Sequence, residues 1–138
     1  MIKAKKSLGQ NFLIDKNIIE KIINIIDVKD KNILEIGPGT GNLTEKILKE
    51  KPNNFLVVEK DNNLAKFLKE KFNRKIEIIN DDILKVEENS LCNEILTVYG
   101  NLPYNIWTEI LIKWILNMKD KKIWFDYLVL MFQKEVAD

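Results

Sequence analysis

Histidine is absent from this chain of 138 residues, and cysteine occurs once, as Cys92. Without histidine there is no Ser-His-Asp or Cys-His catalytic group and no histidine-ligated metal, so we expect no metal centre. A lone cysteine excludes an internal disulfide and suits a reducing compartment, and we therefore expect a cytoplasmic location and a packed thiol. The chemistry that such a composition permits relies on positioning and hydrogen bonding, with a cofactor that supplies the reactive group.

Long apolar runs are missing as well. No stretch reaches about 18 uninterrupted apolar residues, so no membrane span is expected. The N-terminus contains lysines but lacks the apolar region of a secretory signal. Repeats, low-complexity segments and linkers are also absent, and we expect residues 1–138 to form one domain, of which 1–30 make an N-terminal arm and helix.

Excess positive charge is small, because 22 Lys and Arg residues are nearly balanced by 21 Asp and Glu residues, which leaves a net charge of +1. Two groups of lysines are candidates for contact with the phosphates of a nucleic acid, with an ordinary solvated surface as the alternative. The first group is Lys3, Lys5 and Lys6, and the second is Lys113, Lys119, Lys121 and Lys122.

Short apolar segments alternate with helical spacing along the chain. This alternation predicts an α/β fold of the Rossmann-like type, with a mainly parallel sheet of about five strands. The strands are expected at 32–34, 55–58, 76–79, 95–100 and within 125–132, the fifth at an edge of the sheet. Asp15 or Asn17 is expected to cap a first helix. Its apolar stripe is Ile18, Ile19, Ile22, Ile23 and Ile26, and a later helix carries Leu64, Phe67, Leu68 and Phe72.

A glycine-rich turn follows the first predicted strand and leads into helical spacing, with the sequence Glu35-Ile36-Gly37-Pro38-Gly39-Thr40-Gly41. Missing side chains at Gly37 and Gly39 let a ligand lie against the backbone. The spacing is G-x-G-x-G, whereas a dinucleotide pyrophosphate is bound by G-x-G-x-x-G. The turn therefore indicates a nucleoside ligand without a pyrophosphate, and S-adenosylmethionine fits.

Carboxylates follow the next two predicted strands. Glu59 ends the second strand, about 20 residues past the glycines, where an acid commonly accepts hydrogen bonds from both ribose hydroxyls. Asp81 and Asp82 follow the third strand, and one of them is placed to accept from the adenine amine of the cofactor. Each acid alone is also explained as a solvated loop charge. Together, at the carboxyl ends of parallel strands, they predict a ligand crevice.

The four residues Asn101-Leu102-Pro103-Tyr104 directly follow the fourth predicted strand. An adenine amine is a poor nucleophile, and acceptors such as the Asn101 side-chain oxygen and the carbonyl of Leu102 or Pro103 would draw its nitrogen toward tetrahedral geometry. Tyr104 would stack on the base. A plain strand-to-helix turn is the alternative. We assign these four residues to catalysis.

In these motifs the sequence resembles the ribosomal small-subunit RNA adenine dimethyltransferases of the kasugamycin-resistance type. The resemblance extends from Ser7-Leu8-Gly9-Gln10-Asn11-Phe12-Leu13 to Gln133-Lys134-Glu135-Val136-Ala137. It implies an S-adenosylmethionine-dependent catalytic domain over 1–138. Its implied activity is dimethylation of two adjacent adenines near the 3′ end of small-subunit ribosomal RNA, in ribosome biogenesis. The residues implied to contact the cofactor are Asn11, Leu13, Gly37, Glu59, Asp82 and Asn101.

Two other functions stay open at this point. Macrolide-resistance enzymes, which methylate large-subunit RNA, are the close alternative, although Gly9 and Leu102 favour the small-subunit type. A non-catalytic ribosome-assembly or RNA-binding factor is the other, and the intact Asn101 to Tyr104 motif speaks against it.

The chain departs from the family at one residue and in length. Trp107 stands where the family usually has a small residue, and we predict that it belongs to the core of a helix through Ile110 and Trp114 rather than to the base site. Relatives carry two more strands and a small helical domain, so we expect a C-terminally truncated chain. It would be monomeric, with self-association possible through its exposed edge strand.

Overall fold

A computed structural model of the chain describes residues 16–118 and 122–133. Helices and strands alternate through most of these ranges, as the apolar spacing predicts, although turns and a short 3₁₀ helix, not an α-helix, join the third strand to the fourth. The helices are α1 (Lys16–Ile25), α2 (Asn42–Lys49), α3 (Asn62–Phe72) and α4 (Tyr104–Asn117), and the strands are β1 (Asn32–Ile36), β2 (Phe55–Val58), β3 (Glu77–Ile79), β4 (Leu96–Pro103) and β5 (Phe125–Gln133). None of the described helices is long and apolar enough to cross a membrane.

The five strands form one sheet in the order β3-β2-β1-β4-β5, and every neighbouring pair is parallel. The predicted α/β architecture with a parallel sheet is confirmed. The chain moves outward in one direction from β1 to β3 and then returns to the other side of β1 with β4. Such a reversal of strand order leaves a crevice at the carboxyl ends of the two central strands.

Apolar side chains cover the sheet on both faces, which explains why β1 and β2 are almost continuously apolar. On one face, Ile33 packs with α1, α2 and α3. On the other, Leu34 and Ile36 pack with α4 through Trp107 and Trp114. The two faces together enclose the strands whose ends build the site.

The helical stripes agree with the predictions for α3 and in part for α1. Asp61 caps α3, because its side chain accepts hydrogen bonds from the backbone N–H groups of Asn63 and Leu64 at 2.8 and 3.0 Å. In α1, Ile19 and Ile22 of the predicted apolar stripe are buried, whereas Ile18 is half exposed. The predicted cap at Asn17 was wrong, because that residue lies inside α1, and Asp15 lies outside the described residues.

Strand β4 is longer than predicted, and its last three residues are the first three of the Asn101–Tyr104 motif. It continues through Pro103, and α4 begins at the next residue, Tyr104. The reason is the neighbouring strand, since Asn101 pairs with Met131 and Pro103 with Gln133. The motif is therefore the end of a paired strand rather than a loop that follows one. Within the described ranges β5 is an edge of the sheet, as predicted.

Candidate active site

The carboxyl ends of the central strands lie at one level. Ile36 is in register with Val58 on one side and with Gly100 on the other. The next residue of each strand, respectively Gly37, Glu59 and Asn101, therefore lies at the same edge of the sheet. Three of the predicted site residues, from three separate segments of the chain, are brought together by strand register alone.

The glycine-rich turn has the backbone that its sequence predicts. Gly37, Gly39 and Gly41 have φ values of 63°, 60° and 87°, which side chains other than glycine rarely adopt. A Cβ at Gly37 would lie 2.6 Å from Cδ2 of Leu102, and one at Gly41 would lie 2.5 Å from the ring of Phe72. Gly37 thus lets the turn approach the Asn101–Tyr104 segment, whereas Gly41 permits packing against α3.

Glu59 is buried at the end of β2, with 3 % of its surface exposed. One of its carboxylate oxygens, Oε2, accepts a hydrogen bond from the backbone N–H of Asp61 at 2.9 Å. Burial raises the pKa of the Glu59 carboxyl, and hydrogen bonds from backbone N–H groups, that of Asp61 first and those of Gly39 and Lys60 after it, counteract the rise. An acceptor held in this way beside a glycine turn is suited to ligand hydroxyl groups.

A second buried carboxyl, Glu35, was not assigned to the site from sequence. It lies at the penultimate position of β1, and the hydroxyl of Thr44, on α2, donates to its Oε1. The pKa of Glu35 is raised to about 8: desolvation by burial is the largest cause, the hydrogen bond from Thr44 lowers the pKa, and the charge on Glu59 contributes to the rise. Its place inside an apolar strand, directly before the glycine turn, was the available signal.

Asp82 is the better placed of the two aspartates after β3. Its side chain is 21 % exposed; Oδ1 accepts from the backbone N–H of Leu84 at 3.0 Å, and Oδ2 lies 3.5 Å from the ammonium of Lys60. Asp81 is exposed and uses its own Oδ1 to accept from the N–H of Asp82. The amide of Asn80 donates to the carbonyl of Glu59 at 2.9 Å, which links the ends of β2 and β3.

The end of β4 presents polar and aromatic groups to the same edge. Asn101 and Leu102 are half-buried and Pro103 is buried, while the Tyr104 side chain is 65 % exposed. The ring of Phe132 lies 5.5 Å from that of Tyr104, centroid to centroid. Phe132 was missed as a site residue. Because β5 runs parallel to β4, the end of the fifth predicted strand was the signal that would have found it.

Gln133 fixes the backbone of this segment. Its side-chain amide donates to the carbonyl oxygen of Asn101 at 3.0 Å across the β4–β5 pair. The sequence motif that begins at Gln133 therefore contributes at least one residue to the site, whereas residues 134–137 of that motif lie outside the described residues.

Trp107 belongs to the core, as predicted. It is fully buried, and its indole N–H donates to the carbonyl of Met131 at 2.9 Å. A Cβ at Gly100 would lie 2.6 Å from the Trp107 ring, so the indole packs directly against the backbone of β4. The Trp107 side chain therefore stabilises the carboxyl end of β4.

One prediction about the second group of lysines was wrong. The Lys113 ammonium is only 18 % exposed on the side chain and is bonded within the protein, so its predicted contact with phosphate was wrong. Lys122 is exposed. Several other predicted residues lie outside the described ranges, namely Lys3, Lys5, Lys6, Asn11, Leu13, Lys119 and Lys121.

A parallel sheet in this order, with a glycine turn and acids at its carboxyl edge, defines a Rossmann-like methyltransferase fold. Over residues 1–138 the chain matches the family model described as ribosomal RNA adenine dimethylase. The chain therefore belongs to the ribosomal RNA adenine dimethylase family.

Known proteins agree with this assignment. The chain is 65 % identical to ribosomal RNA small subunit methyltransferase A of Pelagibacter ubique over 99 % of its own length and 52 % of that protein's. It is similar to a crystal structure of a dimethyladenosine transferase from Plasmodium falciparum, with a TM-score of 0.67, 27 % identity and coverage of 90 % of this chain and 44 % of the other. It is also similar to the 23S rRNA methyltransferase ErmE, with a TM-score of 0.63, 33 % identity and coverage of 75 % and 42 %. The chain thus spans about half the length of the curated relatives it matches.

Proposed function

We propose that the protein transfers methyl groups from S-adenosylmethionine to the exocyclic amines of two adjacent adenines near the 3′ end of small-subunit ribosomal RNA. The observation that carries this proposal is the close approach of Gly37 to Leu102 at the boundary between β1 and β4. It puts a nucleoside-binding turn beside a segment suited to polarise an amine.

The residues at the edge of the sheet fit this cofactor. Gly37 and Gly39 are half-buried, have positive φ values and carry no side chain, so a ligand can lie against their backbone. The buried carboxylate of Glu59 is suited to accept from the two ribose hydroxyls, and that of Asp82 to accept from the adenine amine. What the cofactor supplies when bound is an electrophilic methyl group on sulfur. Asn11 and Leu13 are proposed to complete this part of the site.

Asn101 is the residue proposed to prepare the target amine. Its side-chain oxygen and the carbonyl of Leu102 or Pro103 accept hydrogen bonds from the two N–H groups of the amine, which draws the nitrogen toward tetrahedral geometry for direct attack on the methyl carbon. As the new N–C bond formed, the bond from that carbon to the cofactor sulfur would break, and S-adenosylhomocysteine would leave. After transfer the positively charged amine loses a proton to water, so no strong base is needed. Proline has no N–H and brings no competing donor to this position.

The exposed ring of Tyr104 is proposed to stack on the target base, with Phe132 beside it. Base stacking on an aromatic side chain contributes roughly 1–3 kcal/mol in single-stranded sites. The target adenine must therefore be unpaired or extruded from its helix before it reaches the site.

Small-subunit RNA, within the pre-ribosomal particle in the cytoplasm, is the favoured substrate. The support is the 65 % identical relative, which is a small-subunit methyltransferase, against 33 % identity to a large-subunit enzyme. The exposed β5 edge also allows self-association, because its backbone groups are available to another strand.

A thermal melt tests the cofactor site directly. The chain is heated alone, with saturating S-adenosylmethionine, and with NAD as the control. We expect S-adenosylmethionine to raise the melting midpoint by mass action, equivalent to about 2.7 kcal/mol at a hundredfold excess over the dissociation constant. NAD should leave it unchanged. A cooperative melt that neither ligand shifts would refute a cofactor site within this chain.

A further inference from the structure

The ammonium of Lys113 is held by three acceptors. It donates to the carbonyls of Ile83 and Val86 at 2.6 and 2.5 Å and to Oε2 of Glu88 at 2.9 Å. A lysine ammonium has three donors, so all of them are used. The side chains of Lys113 and Glu88 are 18 % and 5 % exposed, which makes this a largely buried ion pair.

All three acceptors lie in one segment, residues 82–90, which follows β3 and begins with Asp82. The segment consists of short turns rather than a strand, and only local hydrogen bonds, such as Leu84 N–H to Asp82 Oδ1, shape it from within. Lys113 reaches it from α4, the helix that begins at Tyr104. One side chain thus connects the segment that carries Asp82 to the helix that follows the base-binding motif.

We propose that Lys113 is a positioning residue for cofactor binding, which it achieves by holding the 82–90 segment so that the Asp82 carboxylate faces the adenine amine. This inference rests on the proposed function. Its physical basis is that a turn segment has no strand partners to fix its distance from the sheet. The packing of Ile83 and Val86 in the core, together with the ammonium and its three acceptors, fixes that distance instead. Glu88 pairs with the ammonium and directs it inward.

A double-mutant cycle tests the proposal, with S-adenosylmethionine affinity measured by calorimetric titration. Lys113→Met should raise the dissociation constant by about tenfold in the unaltered chain. In an Asp82→Ala background the same substitution should change it little, because the carboxylate through which Lys113 acts is already gone. Equal losses in both backgrounds, or an Asp82→Ala variant with unaltered affinity, would overturn the proposal.

Two further variants separate positioning from stability. Lys113→Met leaves Glu88 buried without its partner, which destabilises the fold. Lys113→Met combined with Glu88→Gln removes both charges; it should melt higher than the single variant yet bind equally weakly, since the carbonyls of Ile83 and Val86 still lack the ammonium. Recovered affinity in this double variant would show a purely structural role and refute positioning.

The matched control is Lys85→Met, the same substitution at an exposed position of the same segment. We expect it to leave the affinity unchanged, and a loss equal to that of Lys113→Met would mean that charge near Asp82, not position, is responsible. Absence of S-adenosylmethionine binding by the unaltered chain would refute the proposed function and this inference together. Normal binding with an unaffected Lys113→Met variant would refute the inference alone.

Discussion

The strands that end at the proposed cofactor site, β1 and β2, and the β5 edge beside the proposed base site are built differently. β2 is buried at every residue and β1 at all but its first, whereas none of the nine residues of β5 is fully buried. β1 and β2 therefore obtain their shape from two packed faces. The β5 edge is held by its pairing with β4 and by specific contacts, chiefly Trp107 with Met131 and Gln133 with Asn101. The difference teaches that the buried and the exposed parts of the proposed site are divided between strands of one sheet.

The largest expected effect separates two aromatic residues of the same helix. Trp107→Ala removes a fully buried ring and should lower the free energy of unfolding by about 3–5 kcal/mol. Tyr104→Ala, three residues earlier and mostly exposed, should change it by less than about 0.5 kcal/mol. Urea unfolding of both variants measures this. Similar losses of unfolding free energy at the two positions would contradict a core role for Trp107 and an exposed, base-binding role for Tyr104.

Asn101→Ala should affect chemistry far more than binding. Loss of one acceptor that acts in the transition state is expected to lower the rate of methyl transfer by about 100-fold or more, with cofactor affinity partly kept. Transfer of labelled methyl to small-subunit particles gives the rate, and calorimetric titration gives the affinity. Asn117→Ala, an exposed asparagine at the end of α4, is the control. Unchanged turnover in Asn101→Ala would remove this residue from catalysis.

Glu59→Gln should weaken cofactor binding alone. A neutral amide accepts hydrogen bonds from hydroxyl groups less strongly than a carboxylate does. The binding free energy of S-adenosylmethionine should therefore weaken by about 1.5–3 kcal/mol. Glu77→Gln, at an exposed position on the adjacent strand, is the matched control. If the dissociation constants of the two variants agree with that of the unaltered chain, Glu59 does not contact the cofactor.

The last prediction concerns Glu35 and the dependence of stability on pH. Its pKa is raised to about 8 in the folded state from an ordinary value of 4.5, so the folded state holds a proton that the unfolded state has released between these values. Its contribution to stability is complete below pH 4.5 and is lost as the pH rises toward 8, by at most about 1.4 kcal/mol per pH unit.

Glu35→Gln mimics the protonated form and can still accept from Thr44. It should therefore flatten the stability profile between pH 6 and 8, a window above the ordinary carboxyl range. Chemical unfolding at several pH values in this window provides the measurement. An unaltered slope in the variant would mean that Glu35 is already ionised in the folded protein at pH 6.

Sequence alone predicted the elements of this fold well where periodicity is strong. The sequence predicted the alternation of strands and helices, the glycine turn and the buried core position of Trp107. Each of these depends on local spacing or on a conformation that only glycine readily adopts. The length of β4 was not predicted, because its last three residues are strand only through pairing with β5. That pairing is a contact between distant parts of the chain.

The contacts of individual side chains with residues distant in the chain could not be predicted from the neighbouring sequence either. Lys113 looked like surface charge because nothing in its neighbourhood along the chain indicates that carbonyls from the 82–90 segment enclose it. Phe132 looked like one more apolar residue of a strand, and only the alignment of β5 with β4 brings it to Tyr104. The roles of Asn101, Glu59 and Asp82 in chemistry and binding stay predictions, to be decided by the variants above.

The contact between Gly100 and the ring of Trp107 limits how this protein can evolve. Any larger residue at position 100 meets the indole, and any smaller residue at position 107 leaves a void beneath β4. A substitution at either position alone is therefore expected to destabilise the end of β4, by overlap with the ring at position 100 or by a cavity at position 107.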